Sequence, residues 1–310
     1  MNLQVCLDIC EKYIRFIEGY EKRGNLYIIN IEKVDNPIEN FKEIGNVDVE
    51  VVGNFLKDFF KKNKFKAKIG LFTINNSDTI YHYFEVPNLP EEEIKNVIKL
   101  EGIQIIPQFI ENYEYDYISF NVENKKNITL IAYPKNKVDL YTQILLKARL
   151  KPVIMDIHGT ALLNSFLYFN KEENPVCLLN FGFSISNFVI YSKDKFLFLR
   201  DIEWGIKNIK EEEIYNESII EEKMSEFNEE IKISIRYFQN KIGEAVNKIY
   251  LTGEIFGIPD IKKIIEKNIN ISTEYYNPLL LISNNLIPLD KKEDGMSYAI
   301  CIGLLMRKII

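Results

Sequence analysis

Cysteine, histidine and tryptophan are scarce in this chain: four, two and one among 310 residues. Cys6, Cys10, Cys177 and Cys301 are too few and too scattered for a disulfide scaffold. Their apolar surroundings fit reduced, buried thiols of a cytosolic protein. With His82 and His158 the only histidines, a zinc centre is short of ligands. Cys6, Asp8 and Cys10 share a face only if one strand runs as far as Cys10, and that spacing is not a zinc pattern. Long apolar runs are missing too. The longest uncharged one is 298–306, against about 20 residues for a bilayer-spanning helix. The N-terminal residues lack a basic region and carry Asp8, so no signal peptide is expected. Ten prolines and 14 glycines exclude a fibrous or linker-like chain. The net charge of −6 argues against a globally basic nucleic-acid binder.

What is plentiful is core-forming material. Hydrophobic residues make up 46% of the chain, with 20 Phe and 18 Tyr, which excludes a wholly disordered protein. The length suggests two domains or one large one. Apolar runs at 3–9, 14–18 and 26–31 read as three strands with hairpin-length connections. Val51, Val52, Phe55, Leu56, Phe59 and Phe60 then make one apolar helix face, with Asp48 as its cap. A fourth strand follows at 69–72. The same β-β-β-α-β order returns at 176–181, 188–191, 196–202, a long helical stretch ending near Asn240, and 248–251. Two copies of one pattern predict two similar lobes facing each other.

Between the copies, Leu89-Pro90-Glu91-Glu92-Glu93 opens a helix that runs to Gly102. Strands at 113–121 and 128–133 and a helix at 138–148 complete a small α+β insertion. A helix at 257–268, with Pro259 in its first turn, and another at 295–308 close the chain.

Candidate chemistry sits first at the strand ends. An acid there, followed by a tight hairpin, can hold Mg²⁺ through water while hairpin N–H groups cradle phosphate. Asp8 and Asn180 occupy that position in the two copies, and Gly182, Ser184 and Ser186 lie in the second hairpin. An ordinary hairpin with a polar tip fits the same residues. Leu251-Thr252-Gly253 could form a turn that meets a nucleotide, or a simple turn. The lysines at 57, 61, 62, 64, 66 and 68 fit either an anionic partner or a solvated face. The glutamates from 211 to 230 read as the outer side of a surface helix.

Taken in order and spacing, these pieces resemble the PilM family, actin-like proteins of type IV pilus assembly related to FtsA. Leu7-Asp8-Ile9-Cys10 with Ile14-Arg15 falls at the family's first phosphate hairpin, and 179–186 falls at the second. Leu251-Thr252-Gly253 takes the place of the adenosine motif. Val86-Pro87-Asn88-Leu89-Pro90 with Ile106-Pro107, and 147–152, resemble the inserted subdomain. Tyr298-Ala299 with Gly303-Leu304 matches the closing helix. The resemblance implies an α/β, actin-like fold of duplicated RNase H-like lobes with a 1C-like insert. Lobe 1 would span 1–82, 149–172 and 292–310, the insert 83–148, and lobe 2, with a reduced helical part, 173–291.

The resemblance further implies an ATP and Mg site at Asp8, Arg15, Gly182, Ser184, Ser186 and Gly253. It also implies a partner, the N-terminal cytoplasmic tail of a PilN-like bitopic membrane protein, bound between the first lobe and the insert. Other pilus motor and platform components would join it at the inner face of the cytoplasmic membrane. The departures count against nucleotide. Cys10 and Glu11 replace a glycine and a small hydroxyl residue, Asn180 replaces the second acid, and Gly253 alone remains of a glycine-rich turn. The expectation is a scaffold that keeps the fold and the partner surface. Two other readings stay open: an active ATPase or kinase of the actin-like superfamily, and the equivalent part of a type II secretion or competence system. A filament-forming division protein would need an amphipathic tail, and 307–310 is too short for one.

Overall fold

The computed structural model describes residues 3–38, 47–74, 77–106, 108–171, 174–255, 257–258, 260–282 and 287–307. Three strands open the chain, β1 (Gln4–Ile9), β2 (Tyr13–Lys22) and β3 (Asn25–Asp35), joined as antiparallel hairpins. Helix α1 (Val49–Lys62) follows, and the Asp48 carboxylate caps it by accepting from the amides of Glu50 and Val51, as the sequence predicts. It leads to β4 (Ile69–Ile74), parallel to β1. Five of the six clustered lysines at 57–68 are exposed, and all belong to α1 or its exit loop. That exit is fixed by buried Glu18, whose carboxylate accepts from the amides of Lys66 and Ala67 and from Asn30.

The second copy runs β9 (Val176–Phe181), β10 (Ser186–Ser192), β11 (Phe196–Ile202), helices α6 (Glu217–Lys223) and α7 (Ser225–Ile242), then β12 (Lys248–Gly253). The expected long helix is therefore two, broken at Met224. With β8 (Lys151–Asp156) and β13 (Ser272–Tyr275), the two sheets have matching orders, β3-β2-β1-β4-β8 and β11-β10-β9-β12-β13. The duplication is real at the level of topology.

Strand alternation explains the layers. Val5, Leu7 and Ile9 face α1 and α4 (Lys135–Lys147), while Cys6 faces α5 (His158–Phe169) and α10 (Ala299–Leu305) between the lobes. Helix α5 is buried on every side over residues 158–166. The closing segment is not one helix: 295–298 is a 3₁₀ turn, and α10 begins at Ala299. Helix α8 (Ile261–Ile269) starts four residues after the expected Gly257. Pro107, Pro259 and residue 308, each part of a sequence expectation, lie outside the described residues. All four cysteines are buried and unpaired, and burial pushes the thiols of Cys6, Cys177 and Cys301 up.

The insert is a three-stranded antiparallel sheet, β5 (Ile80–Pro87), β7 (Lys125–Pro134) and β6 (Tyr113–Val122) in that order, covered by α2 (Glu91–Ile105) and the short α3 (Phe109–Asn112). Its sheet begins at Ile80, three residues before the expected boundary at 83. Helix α4, expected within the insert, buries Tyr141, Ile144 and Leu145 in the core of the first lobe beside α1. The insert's other sheet face turns to the second lobe. Asn127 and Thr129 donate side-chain hydrogen bonds to the carbonyls of Lys195 and Leu197 at 2.8 Å, and Tyr83 bonds both the amide and the carbonyl of Leu199. Leu197 and Leu199 lie on β11, the edge strand of the second sheet, and Lys195 just precedes it. Its edge is capped by side chains rather than by another strand.

Candidate functional site

Two places between elements merit comparison: the cleft between the lobes and a groove beside the insert.

The cleft is built from the ends of β1, β9 and β12. Asp8 stands next to last in β1, with Asn180 at the same place in β9. Asp8, Arg15, Gly182 and Gly253 line one small cavity, together with His158, Asn180, Phe183, Glu254 and Ser297. Ser184 and Ser186 are buried but do not line it, and the Ser186 hydroxyl donates to the Trp204 carbonyl at 2.8 Å. Ser186 belongs to β10, whose alternation turns it away from the cleft.

The cavity measures only about 10 Å³, which at best holds a single water. Side chains fill the rest. The Asp8 carboxylate lies 2.7 Å from His158 Nε2, accepts from Thr73 at 3.3 Å, and pairs with Arg15 at 3.3 Å. Burial alone would raise this carboxyl, but His158, Arg15 and Thr73 outweigh it and hold Asp8 below the usual carboxylate value. Arg15 reaches across the cleft to Glu254, which Lys33 also approaches at 3.3 Å. Burial and the neighbouring Arg15 bring Lys33 down to about 8. At the rim, Glu11 pairs with Lys207 at 2.9 Å, and the Tyr13 and Phe183 rings meet edge to face.

A hydrogen-bonded chain continues inward. His158 Nδ1 lies 3.1 Å from Asn187 Oδ1, Asn187 donates to Asp201 at 2.8 Å, and Tyr81 of the insert donates to Asp201 at 2.9 Å. Asn180 donates to the same Asn187 oxygen at 2.9 Å. One polar network thus joins both lobes and the insert.

These residues do not fit a magnesium nucleotide. Both oxygens of Asp8 are taken by protein groups, and the nearest cations are paired with Asp8 or Glu254. A polyphosphate here would displace Arg15 from Glu254 and meet two carboxylates. Phe181 and Phe183 give their carbonyls to the amides of Glu254 and Lys207, and Gly182 gives its own to Ile206, which ties down the second hairpin. Gly253, at φ +97°, sits so close to the Phe181 carbonyl that no side chain fits. Its glycine serves backbone packing.

Sequence reasoning missed His158, Glu254 and Asn187. No motif marks them, because folding alone brings them to Asp8 and Arg15.

The groove is open, with a cavity of about 360 Å³. One wall is β6, the edge strand of the insert's sheet; the other is β8, the edge strand of the first lobe's sheet, with the start of α5. Ile118, Ile131, Tyr133, Val138, Met155 and Ile157 give it apolar surface, and Asp116, Asp156 and Arg307 give it charge.

Comparison with known proteins shows the family. The family description "type IV pilus assembly protein PilM" matches residues 6–214, more than half of the chain. This chain belongs to the PilM family. A solved "PilM-PilN type IV pilus biogenesis complex" is similar over 97% of both chains, with a TM-score of 0.83 at 17% identity. The ethanolamine utilization protein EutJ from Carboxydothermus hydrogenoformans is similar over 99% of this chain and 90% of that one, with a TM-score of 0.51 at 8% identity. The PilM-like, actin-like fold expected from the sequence is the fold of this chain. Among the described residues, no helix is long and apolar enough to cross a membrane.

Proposed function

We propose that this PilM family member is a scaffold of the type IV pilus platform at the inner face of the cytoplasmic membrane. It holds the N-terminal tail of a PilN-like membrane protein in the groove between β6 and β8, and it works without nucleotide turnover. The observation that carries the reading is the contrast of volumes: about 360 Å³ in the groove and about 10 Å³ in the cleft. Among the described residues, β6 and β8 are each the edge strand of a sheet, and both line the groove. An extended segment is the ligand that such edges suit, with main-chain hydrogen bonds for affinity and apolar pockets for alternate side chains. The solved PilM-PilN complex supports a PilN-like partner, and the expectation of a tail bound between the first lobe and the insert fits a groove walled by β8 and β6.

A labelled peptide of the tail of the PilN-like protein encoded nearby tests this against the full chain. The wild type binds it. Val138→Trp, which fills the groove from α4, abolishes binding while the thermal melt stays unchanged. Undiminished binding to Val138→Trp overturns the placement.

A further inference from the structure

We propose that the groove selects its occupant by a cation: the bound segment sets a lysine or arginine side chain against Asp116 and Asp156. This rests on the groove being the tail site, and it names what the tail must carry.

Alternation along β6 aims its acids. Tyr113, Tyr115 and Tyr117 pack on the insert's own core, while Ile118, Phe120 and Val122 pack toward the lobes. Glu114 and Asp116 share that second face and line the groove. Asp156, at the end of β8, faces them from the other wall and is 93% buried, its side chain 6% exposed. One of its oxygens is held by the Ile157 amide at 2.9 Å and by the Thr160 hydroxyl. The other, Oδ2, makes no hydrogen bond. Arg307 Nε lies 3.2 Å from it, close enough for charge attraction but without hydrogen-bond geometry.

The charges do not balance. Glu114 has Lys135 at 3.5 Å. Among the described residues, Asp116 and Asp156 share Arg307, two carboxylates to one guanidinium. Burial pushes both carboxyls up, with Arg307 opposing and, for Asp156, Asp116 adding to the rise. A second cation removes that excess. The stem of a lysine or arginine would lie along Ile118, Ile131 and Met155, and its head would supply the donor that Asp156 Oδ2 lacks. An acidic segment would meet three carboxylates against Lys135 and Arg307, both already engaged, so it is disfavoured by the same count.

The test uses the full chain and two labelled peptides, the native tail and the same tail with every lysine and arginine replaced by glutamine. Asp116→Asn, at an exposed strand position, is the variant. The native tail is expected to bind the wild type about tenfold more tightly than it binds Asp116→Asn. The glutamine tail is expected to bind both proteins alike and weakly, so the two changes are coupled. Affinity of the native tail falls with added salt. Equal binding of the native tail to wild type and Asp116→Asn overturns the cation, while the tail site stands if Val138→Trp still abolishes binding. A native tail without any basic residue that binds the groove overturns it too. No binding of the native tail to the wild type overturns the tail site itself.

Discussion

The cleft and the groove are both seams between neighbouring parts of one chain, yet one is sealed and the other open. The difference lies in which side chains meet there. In the cleft, acids and bases pair, within the first lobe (Asp8 with His158 and Arg15) and across the lobes (Glu254 with Arg15 and Lys33, Glu11 with Lys207). In the groove, acids come from both walls, and among the described residues Asp116 of β6 and Asp156 of β8 share a single arginine. Complementary walls close on each other. Walls of like sign leave space for a partner to bring the opposite charge.

The comparison breaks most visibly at Arg15. It is 3% exposed and serves two carboxylates, so Arg15→Ala strands buried charge and is expected to cost about 3–5 kcal/mol in urea unfolding. A loss under about 1 kcal/mol would mean the cleft is not held by its ions. Next comes Gly253→Ala. With φ +97° and the Phe181 carbonyl in the way, it should cost more than about 1 kcal/mol, read from the same experiment.

Acid should act on the cleft through Asp8. Its folded value lies below the unfolded one of about 3.9, so its stabilisation is complete above that pH and is lost as pH falls through the folded value. Asp8→Asn should therefore flatten the acid limb of a stability–pH curve, and an unchanged limb counts against the network. At the rim, where both partners are about a third exposed, Lys207→Ala should cost less than about 1 kcal/mol. The smallest effect sharpens the contrast: millimolar Mg-ATP should not move the melting temperature. A ligand at a hundredfold over its Kd would add about 2.7 kcal/mol, well within detection.

The lobes were legible because each carries its own local signals. Hairpin turns, the apolar face of α1 and the Asp48 cap are written within short windows, and the repeat of one order exposed the duplication. Among the elements that escaped are β8, α5, β5 and β13. Strand β8 opens with Lys151-Pro152 and is only six residues long, so its proline reads as a breaker; it lies parallel on one side only. Helix α5 is buried all round, which erases the period that would announce it. Strand β5 was missed although Asn75-Asn76-Ser77-Asp78 reads as a turn signal before it, and β13 has four residues. In the site, Asp8 and Gly253 were readable as strand ends. Their partners were not. His158 opens α5, one of the missed elements, and Glu254 was read only as a residue of a turn. The sealing of the cleft depends on pairs up to 239 positions apart, Arg15 and Glu254, and no spacing rule reaches that far.

The side-chain cap on β11 has a consequence for anyone who trims this protein. The carbonyls of Lys195, Leu197 and Leu199 accept from Asn127, Thr129 and Tyr83 of the insert. Cut the insert away, and the second sheet keeps its strands but shows a bare row of acceptors and donors. Such a row recruits whatever strand it meets, usually its own twin. The shortened chain would be a seed for aggregation, and the insert is, among its other roles, a solubility device.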